Sequence, residues 1–522
     1  MSDESLRDDH AELLRRRTFT EDAARPEAVA RRHAANARTA RENIADLVDE
    51  GSFVEYGRFA IAAQRHRRDA DDLIAHTPAD GLVAGTARIN GEYFGDERSA
   101  CAVLSYDYTV LAGTQGALGH RKKDRLFELI ERMRLPTVFF AEGGGGRPGD
   151  TDIPVVSALD ARAFKLWAAL SGVVPRIAVV HGRCFAGNAV IAGCADLIVA
   201  TEATSIGMGG PAMIAGGGLG DVPPDEVGPI SMQEPNGVVD VVVADEAEAV
   251  EVTKRLLGYF QGTLEPGPVS DQTRLRTMVP ERARRAYQVA PVVETLADEG
   301  SVTLLRPRFA PEMLTALARF AGRPVGVIAN NTMVMAGAIT AAAADKAARF
   351  LQLCDAFGLP VLSLIDCPGY MVGPAAESEA LVRRASRMLV AGAALEVPLI
   401  AVILRRGYGL GAQAMTGGSL REPLLTVAWP GAHLGPMGLE GAVRLGMRKE
   451  LEAIADDAER EERVRQATAA AQDNAKALNA AQLFEIDDVV DPAETRDVVI
   501  NTLTAATAHT HPRTRRRFVD TW

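Results

Sequence analysis

The sequence predicts an α/β protein made of two related halves, each a layered unit of parallel strands and helices. Three observations predict it. Landmarks recur at an offset of about 224 residues. Leu135-Pro136-Thr137-Val138, before Glu142-Gly143-Gly144-Gly145-Gly146, returns as Leu359-Pro360-Val361-Leu362 before Asp366-Cys367-Pro368-Gly369-Tyr370. Val174-Pro175-Arg176-Ile177-Ala178-Val179 returns as Val397-Pro398-Leu399-Ile400-Ala401-Val402, and Ala112-Gly113 with Lys122 and Arg125 as Ala336-Gly337 with Lys346 and Arg349. In both halves, apolar runs of buried-strand length alternate with glycine turns and helical spacing, the pattern of parallel α/β layers. Finally, 522 residues are too many for one core. The expected domains are 1–270 and 271–522, divided near the proline- and charge-rich stretch 263–300.

The elements follow in order. Residues 1–50 read as a helical arm, with Ala34–Leu47 at helical spacing. Gly81–Ile89 and Ser99–Asp107 read as strands, with Asn90-Gly91 starting the turn between them. His120–Met133 is expected as helix, Thr137–Ala141 as strand, Asp160–Ser171 as helix and Arg176–Val180 as strand. Glu246–Gly262 places Ala249, Val252, Leu256 and Phe260 on one helical face. The second half repeats this: strand Val325–Ala329, helix Thr340–Phe357, strand Val361–Asp366, helix Ala376–Ala394, strand Leu399–Leu404. Residues 449–484 are charged, alanine-rich and helical.

Composition narrows the function. Apolar residues make up 47% and charged residues 24%, as in ordinary globular chains. A net charge of −12 argues against a nucleic-acid-binding surface. Met1-Ser2-Asp3-Glu4-Ser5 is polar and no run of about 18 apolar residues occurs, so neither signal peptide nor membrane span is expected, and the location is expected to be cytoplasmic. The five cysteines, Cys101, Cys184, Cys194, Cys354 and Cys367, include no CxxC and read as reduced core residues. No metal constellation stands out; His509-Thr510-His511 and the basic tail of Arg513, Arg515, Arg516 and Arg517 read as solvated surface.

Chemistry concentrates at glycine turns. His181-Gly182-Arg183-Cys184-Phe185-Ala186-Gly187-Asn188-Ala189 follows a strand and opens a helix, where the first N–H groups lack intrahelical acceptors and the dipole favours negative charge. Two such donors form an oxyanion hole, and losing one typically costs about 10²–10³ in rate. A plain packing turn would look the same, but Arg405-Arg406-Gly407-Tyr408-Gly409-Leu410-Gly411-Ala412 sits at the matching place in the second half. The run Gly143–Gly146 suits either a ligand-lining loop or a mobile surface loop, and it is no P-loop, since no Gly-Lys-Ser/Thr follows. His120-Arg121-Lys122-Lys123-Asp124-Arg125 suits the phosphates of a nucleotide-type ligand such as coenzyme A, or a solvated helix face. No side-chain general base stands out.

At Pro324–Asn331, Ala336-Gly337-Ala338-Ile339, Asp345–Phe350, Asp366–Tyr370, Ala428-Trp429-Pro430 and Met437–Ala442, the chain resembles the carboxyltransferase (beta) subunit of biotin-dependent acyl-CoA carboxylases, the propionyl-CoA and methylcrotonyl-CoA carboxylase family. Thr39-Ala40-Arg41-Glu42 resembles that family's N-terminal helix. The resemblance implies two tandem crotonase-like domains of the ClpP/crotonase superfamily related by internal duplication. It also implies a hexamer whose sites join the N domain of one subunit to the C domain of another. Ala186, Gly187 and Asn188 would hold the acyl-CoA enolate, and Leu410 and Gly411 the biotin ureido oxygen. Gly144, Gly145, Arg121, Lys122, Lys123, Tyr370 and Gly409 would line the coenzyme A and biotin sites. The cofactor itself would take the α-proton, which accounts for the missing side-chain base. With no biotin carboxylase domain or biotinyl-lysine motif visible, the biotin is expected on a separate carrier subunit.

Several segments depart from the family's pattern. Asn188 stands where a second glycine is usual, Leu410-Gly411 where Gly-Ala is usual, and Gly143–Arg147 where Ser-Gly-Gly-Ala-Arg is usual. Residues 206–237 also differ, which leaves the acyl group open from short to long. A decarboxylase of the same fold, or a non-catalytic scaffold subunit, would share these signatures.

Overall fold

The computed structural model describes residues 7–153, 157, 159–282, 284–507 and 517–522. The polar start, the His509–His511 pair and Arg513, Arg515 and Arg516 lie outside them. Chain contacts divide into two units, one ending at Gln261 and the other opening at Gly262.

In the first unit the strands are β1 (Val54–Glu55), β2 (Leu82–Arg88), β3 (Ala100–Tyr106), β4 (Thr137–Phe140), β5 (Arg176–Val180), β6 (Arg183–Phe185), β7 (Leu197–Thr201), β8 (Ser205–Gly207) and β9 (Val241–Val243). The sheet order is β1-β2-β3-β4-β5-β7-β9. It is antiparallel as far as β3 and parallel beyond. Strands β6 and β8 form a separate parallel pair. The parallel strands are buried on both faces, so β5 reads as an unbroken buried run. Helix Ala117–Met133 packs Phe127 onto Trp167, which meets Phe139 of β4 edge-on.

In the second unit they are β10 (Thr303–Leu305), β11 (Met313–Phe320), β12 (Arg323–Asn330), β13 (Val361–Cys367), β14 (Leu399–Tyr408), β15 (Leu425–Ala428), β16 (His433–Gly435) and β17 (Asp488–Val489). The order β10-β11-β12-β13-β14-β15-β17 again turns from antiparallel to parallel at its third strand. Strand β14 runs unbroken through what the first unit splits into β5 and β6, and its end pairs with β16 as β6 pairs with β8.

Backbone detail repeats as well. Leu111, Ala112 and Gly113 are left-handed in succession (φ 50°, 53° and 64°), as are Met335, Ala336 and Gly337 (47°, 53° and 79°). A Cβ on Gly113 would lie 2.8 Å from the Glu142 carbonyl, and one on Gly337 2.8 Å from that of Asp366. Only glycine lets the turn touch the strand exit there, and the two non-glycine residues before it each cost roughly 1–2 kcal/mol.

Four expectations need correction. The N-terminal arm breaks into helices Asp8–Thr18, Pro26–Ala34 and Ala40–Leu47, the last held by a Thr39–Glu42 capping box. Asn90 is left-handed but opens a helical connection, Gly91–Ser99, instead of a tight hairpin turn. The helix expected over 160–171 is only Ala163–Ala168. That expected over 376–394 is Pro374–Glu377 followed by Leu381–Ala393, separated around left-handed Ala380. Among the described residues no helix is long and apolar enough to cross a membrane.

Candidate active site

In the first unit, three segments meet at the end of β4. Gly143 donates its N–H to the Arg183 carbonyl (2.7 Å) and accepts from Phe185 N–H (3.0 Å). On the other side, Gln115 N–H donates to the Gly145 carbonyl (2.7 Å) and Arg147 N–H to that of Gln115 (3.0 Å). The glycine run is therefore pinned between two strands of chain and is no loose loop. Because successive peptides alternate, the carbonyls of Gly143 and Gly145 are engaged inward while exposed Gly144 and Gly146 turn outward. Alongside, Ala186 takes φ 52° and ψ −124° and starts helix Gly187–Gly193. Such a conformation costs an L-residue about 1–3 kcal/mol and persists only where its surroundings impose it. A Cβ on Gly145 would lie 2.8 Å from the Ala186 Cβ and 3.5 Å from Gly187 N, so the two turns touch.

Asn188 is fully buried beneath them. Its amide donates to the carbonyls of Glu142 (2.7 Å) and Gly113 (3.1 Å), and its oxygen accepts from Gln115 Nε2 (2.8 Å). It braces the turns from behind and offers no side-chain atom to a ligand in front.

The second unit builds the same turn with sizes exchanged. Gly409 has φ +58°, the counterpart of Ala186, and opens helix Gly409–Met415. Leu410 follows and is 64% exposed, while Gly369, whose outward side is open, lies against Gly411. Gly411 is the counterpart of Asn188, and Cys367 that of Gly143, where a Cβ would lie 2.9 Å from Asn188 Nδ2. A Cβ at 411 would lie 2.8 Å from Cys367 Sγ and from Gly369 Cα. Tyr370 is half-buried; it bridges to Ile339, and its hydroxyl reaches the Ala385 carbonyl at 3.4 Å.

A clamped carboxylate stands at the matching position in each unit. Glu142 receives a bidentate pair from Arg32 (2.9 and 3.0 Å). His181 lies 3.7 Å from it and 3.4 Å from Glu246. Burial alone would push His181 down, but the two carboxylates outweigh it and hold the imidazole above its ordinary value. A Cβ on Gly182 would lie 2.2 Å from Glu142 Oε1, which leaves only glycine there. Asp366 accepts from Arg405 Nε (2.9 Å) and Arg406 Nε (2.5 Å), while Arg406 also donates to the Ala336 carbonyl (2.8 Å). Neither these clamps nor Gln115 stood out in the sequence, since an isolated Arg or Gln carries no local signal of a distant partner.

The basic cluster does not survive as a surface feature. Arg121 is exposed, but Lys122 and Lys123 are buried. Lys122 donates to the Ala79 carbonyl (3.1 Å) and to that of Leu82, as Lys346 does to those of Arg306 and Phe309 (2.8 Å each). Lysines facing inward to satisfy carbonyls cannot reach a phosphate, so Lys122 and Lys123 are withdrawn from the coenzyme A site. Cys184 and Cys367 are buried, free thiols; burial pushes both up, Cys367 to about 12, so neither is a thiolate nucleophile. Among the described residues no cluster of His, Cys, Asp or Glu could hold a metal ion.

Known proteins resemble this chain in sequence and fold. Residues 31–519 match the carboxyl transferase domain. The propionyl-CoA carboxylase beta chain of Saccharopolyspora erythraea is 34% identical, over 94% of this chain and 92% of that one. The solved structure of a single-chain, multi-domain long-chain acyl-CoA carboxylase is 55% identical with a TM-score of 0.91; it covers 95% of this chain, which spans about half (49%) of that one. The transcarboxylase 12S hexamer, solved with methylmalonyl-CoA and methylmalonic acid, is 30% identical with a TM-score of 0.84, covering 98% of this chain and 97% of that one. The chain belongs to the carboxyl transferase family, among the carboxyltransferase components of biotin-dependent acyl-CoA carboxylases.

Proposed function

We propose that this chain transfers a carboxyl group from carboxybiotin, held on a separate carrier protein, to the α (or vinylogous) carbon of an acyl-CoA. The observation that carries it is the repeated turn: Ala186-Gly187 and Gly409-Leu410 share a positive-φ entry into a short helix, at equivalent places in two units of equal strand order. The repetition supports two crotonase-like domains that arose by duplication, expected at 1–270 and 271–522, with the division of chain contacts at Gln261 and Gly262 a little earlier.

The thioester carbonyl is assigned to the first-unit turn. There the N–H groups of Gly187 and the glycine run stabilise the oxyanion as the α-carbon loses its proton. Asn188 keeps the carbonyls of Glu142 and Gly113 turned away from that charge. The biotin ureido oxygen is assigned to the second-unit turn, with Gly409 setting its direction and Leu410 and Gly411 supplying N–H groups. The open side of Gly369, next to Tyr370, fits a flat ring approaching them. Bound there, the biotin supplies the carboxyl group and the base, so the chain contributes position and dipoles.

Arg121 remains as a candidate for a coenzyme A phosphate. The segment leaving β8 exposes Met208, Met213 and Leu219, beginning at the residue after Gly207, whose carbonyl accepts from Ala186 N–H (3.1 Å). An apolar flank at that point suits a long acyl chain. The test is fixation of labelled bicarbonate by the chain with a biotinylated carrier and its biotin carboxylase, across acyl-CoAs from propionyl to palmitoyl. Fixation into none of them, with coenzyme A still bound, would leave only a scaffold role.

A further inference from the structure

Behind the first-unit turn lies a line of buried polar side chains with a direction built into it. Lys123 is fully buried in helix Ala117–Met133, and its amine donates to Gln115 Oε1 and to Tyr106 Oη (3.1 Å). The rings of Tyr106 and Phe164 lie 5.6 and 5.9 Å from the nitrogen. No carboxylate of the described residues is within ion-pair distance of it. Gln115 Nε2 donates to Asn188 Oδ1 (2.8 Å), and Asn188 Nδ2 donates to the carbonyls of Glu142 and Gly113.

The carbonyl end of this line fixes its polarity, and the Lys123 amine, which bears hydrogens in either protonation state, can donate to the Gln115 oxygen in keeping with it. The two carbonyls can only accept, so the Asn188 nitrogen must face them. The middle bond is then forced to run from Gln115 to Asn188. We propose that Lys123, Gln115 and Asn188 form a one-way hydrogen-bond relay that positions the acyl-side turn, with Lys123 and Gln115 as positioning residues remote from the substrate. The inference rests on the assignment of the thioester to this turn.

The relay sits where it can act. A Cβ on Gly187 would be 2.8 Å from Gln115 Nε2 and 3.0 Å from Phe164 Cζ, so the relay forms the floor under the donor turn. Gln115 also holds the glycine run through its own backbone, and Asn188 holds both carbonyls that would otherwise be free to swing toward a developing oxyanion. A carbonyl turned inward would repel that charge, and the relay is a buried lock against the rotation.

The experiment uses the chain assembled with a biotinylated carrier and biotin carboxylase, with propionyl-CoA and palmitoyl-CoA as acceptors. Gln115→Glu preserves shape but replaces the donor with an acceptor, and Lys123→Met removes the first donor. Both are expected to lower kcat about 10- to 100-fold with KM for the acyl-CoA moving less than about threefold, because the relay acts on the transition state. Tyr106→Phe leaves the Lys123–Gln115 bond and is expected to keep wild-type kcat; a loss as large as that of Lys123→Met would assign the effect to packing and overturn the relay. Wild-type kcat in folded Gln115→Glu or Lys123→Met overturns it, and so does failure of both to fold, which would make the line a requirement of folding alone. A wild-type protein carboxylating neither acceptor would instead count against the assigned reaction.

Discussion

Replacing Lys123 with methionine changes how the stability of the first unit depends on pH. The amine is fully buried, and burial pushes it down to about 7 from an ordinary 10.5, with Asp124 and Asp80 offsetting only part. Between those values the unfolded chain holds a proton that the folded chain has shed. Stability contributed by this group therefore rises with pH across the window, and is lost as pH falls toward 7. The span of 10.5 − 7 = 3.5 units corresponds to roughly 5 kcal/mol as an upper figure. For a unit of this size that is on the order of 10 °C in Tm. Methionine removes the titration and leaves a pH-independent loss of the two hydrogen bonds. Thermal unfolding of both proteins at pH 6, 7, 8, 9 and 10 is the assay. The wild-type Tm is expected to climb relative to Lys123→Met above pH 7 and to run parallel below it. Parallel curves throughout would refute the premise that burial outweighs the nearby carboxylates at this amine.

Other perturbations separate the two turns. Gly187→Ala forces a Cβ to within 2.8 Å of Gln115 Nε2 and 3.0 Å of Phe164 Cζ, and is expected to cut carboxylation about 10²-fold with biotin-side chemistry intact. Gly411→Ala drives a methyl into Cys367 Sγ and the Gly369 backbone at 2.8 Å, and should abolish use of carboxybiotin while acyl-CoA still binds by calorimetry. Gly182→Ala, 2.2 Å from Glu142 Oε1, should lower stability by about 1–3 kcal/mol in denaturant titration. Arg121→Ala is expected to weaken coenzyme A binding modestly and flatten its salt dependence; an unchanged Kd returns Arg121 to the solvated surface.

The α/β class and the two equivalent glycine turns were legible in the linear chain. Hydrophobic runs such as Arg176–Val180, and positions where only glycine fits, such as Gly113 and Gly337, depend on local chain geometry and so leave a mark at each position. Asn188 was legible as a position but not in its role, since the side chain of a residue expected to help hold the enolate is turned to the carbonyls of Glu142 and Gly113 behind the turns. Partners distant in the chain became visible only once it was folded. Lys122 and Lys123 looked like a basic surface because side-chain direction on a helix is set by what packs above it, and here Ala79, Leu82, Tyr106 and Gln115 lie there. Arg32 gripping Glu142 and Arg405 gripping Asp366 bring together residues far apart in sequence. The exchange of Gly143 and Asn188 for Cys367 and Gly411 is likewise invisible to a linear reading, because volume is conserved across a contact and not at a position.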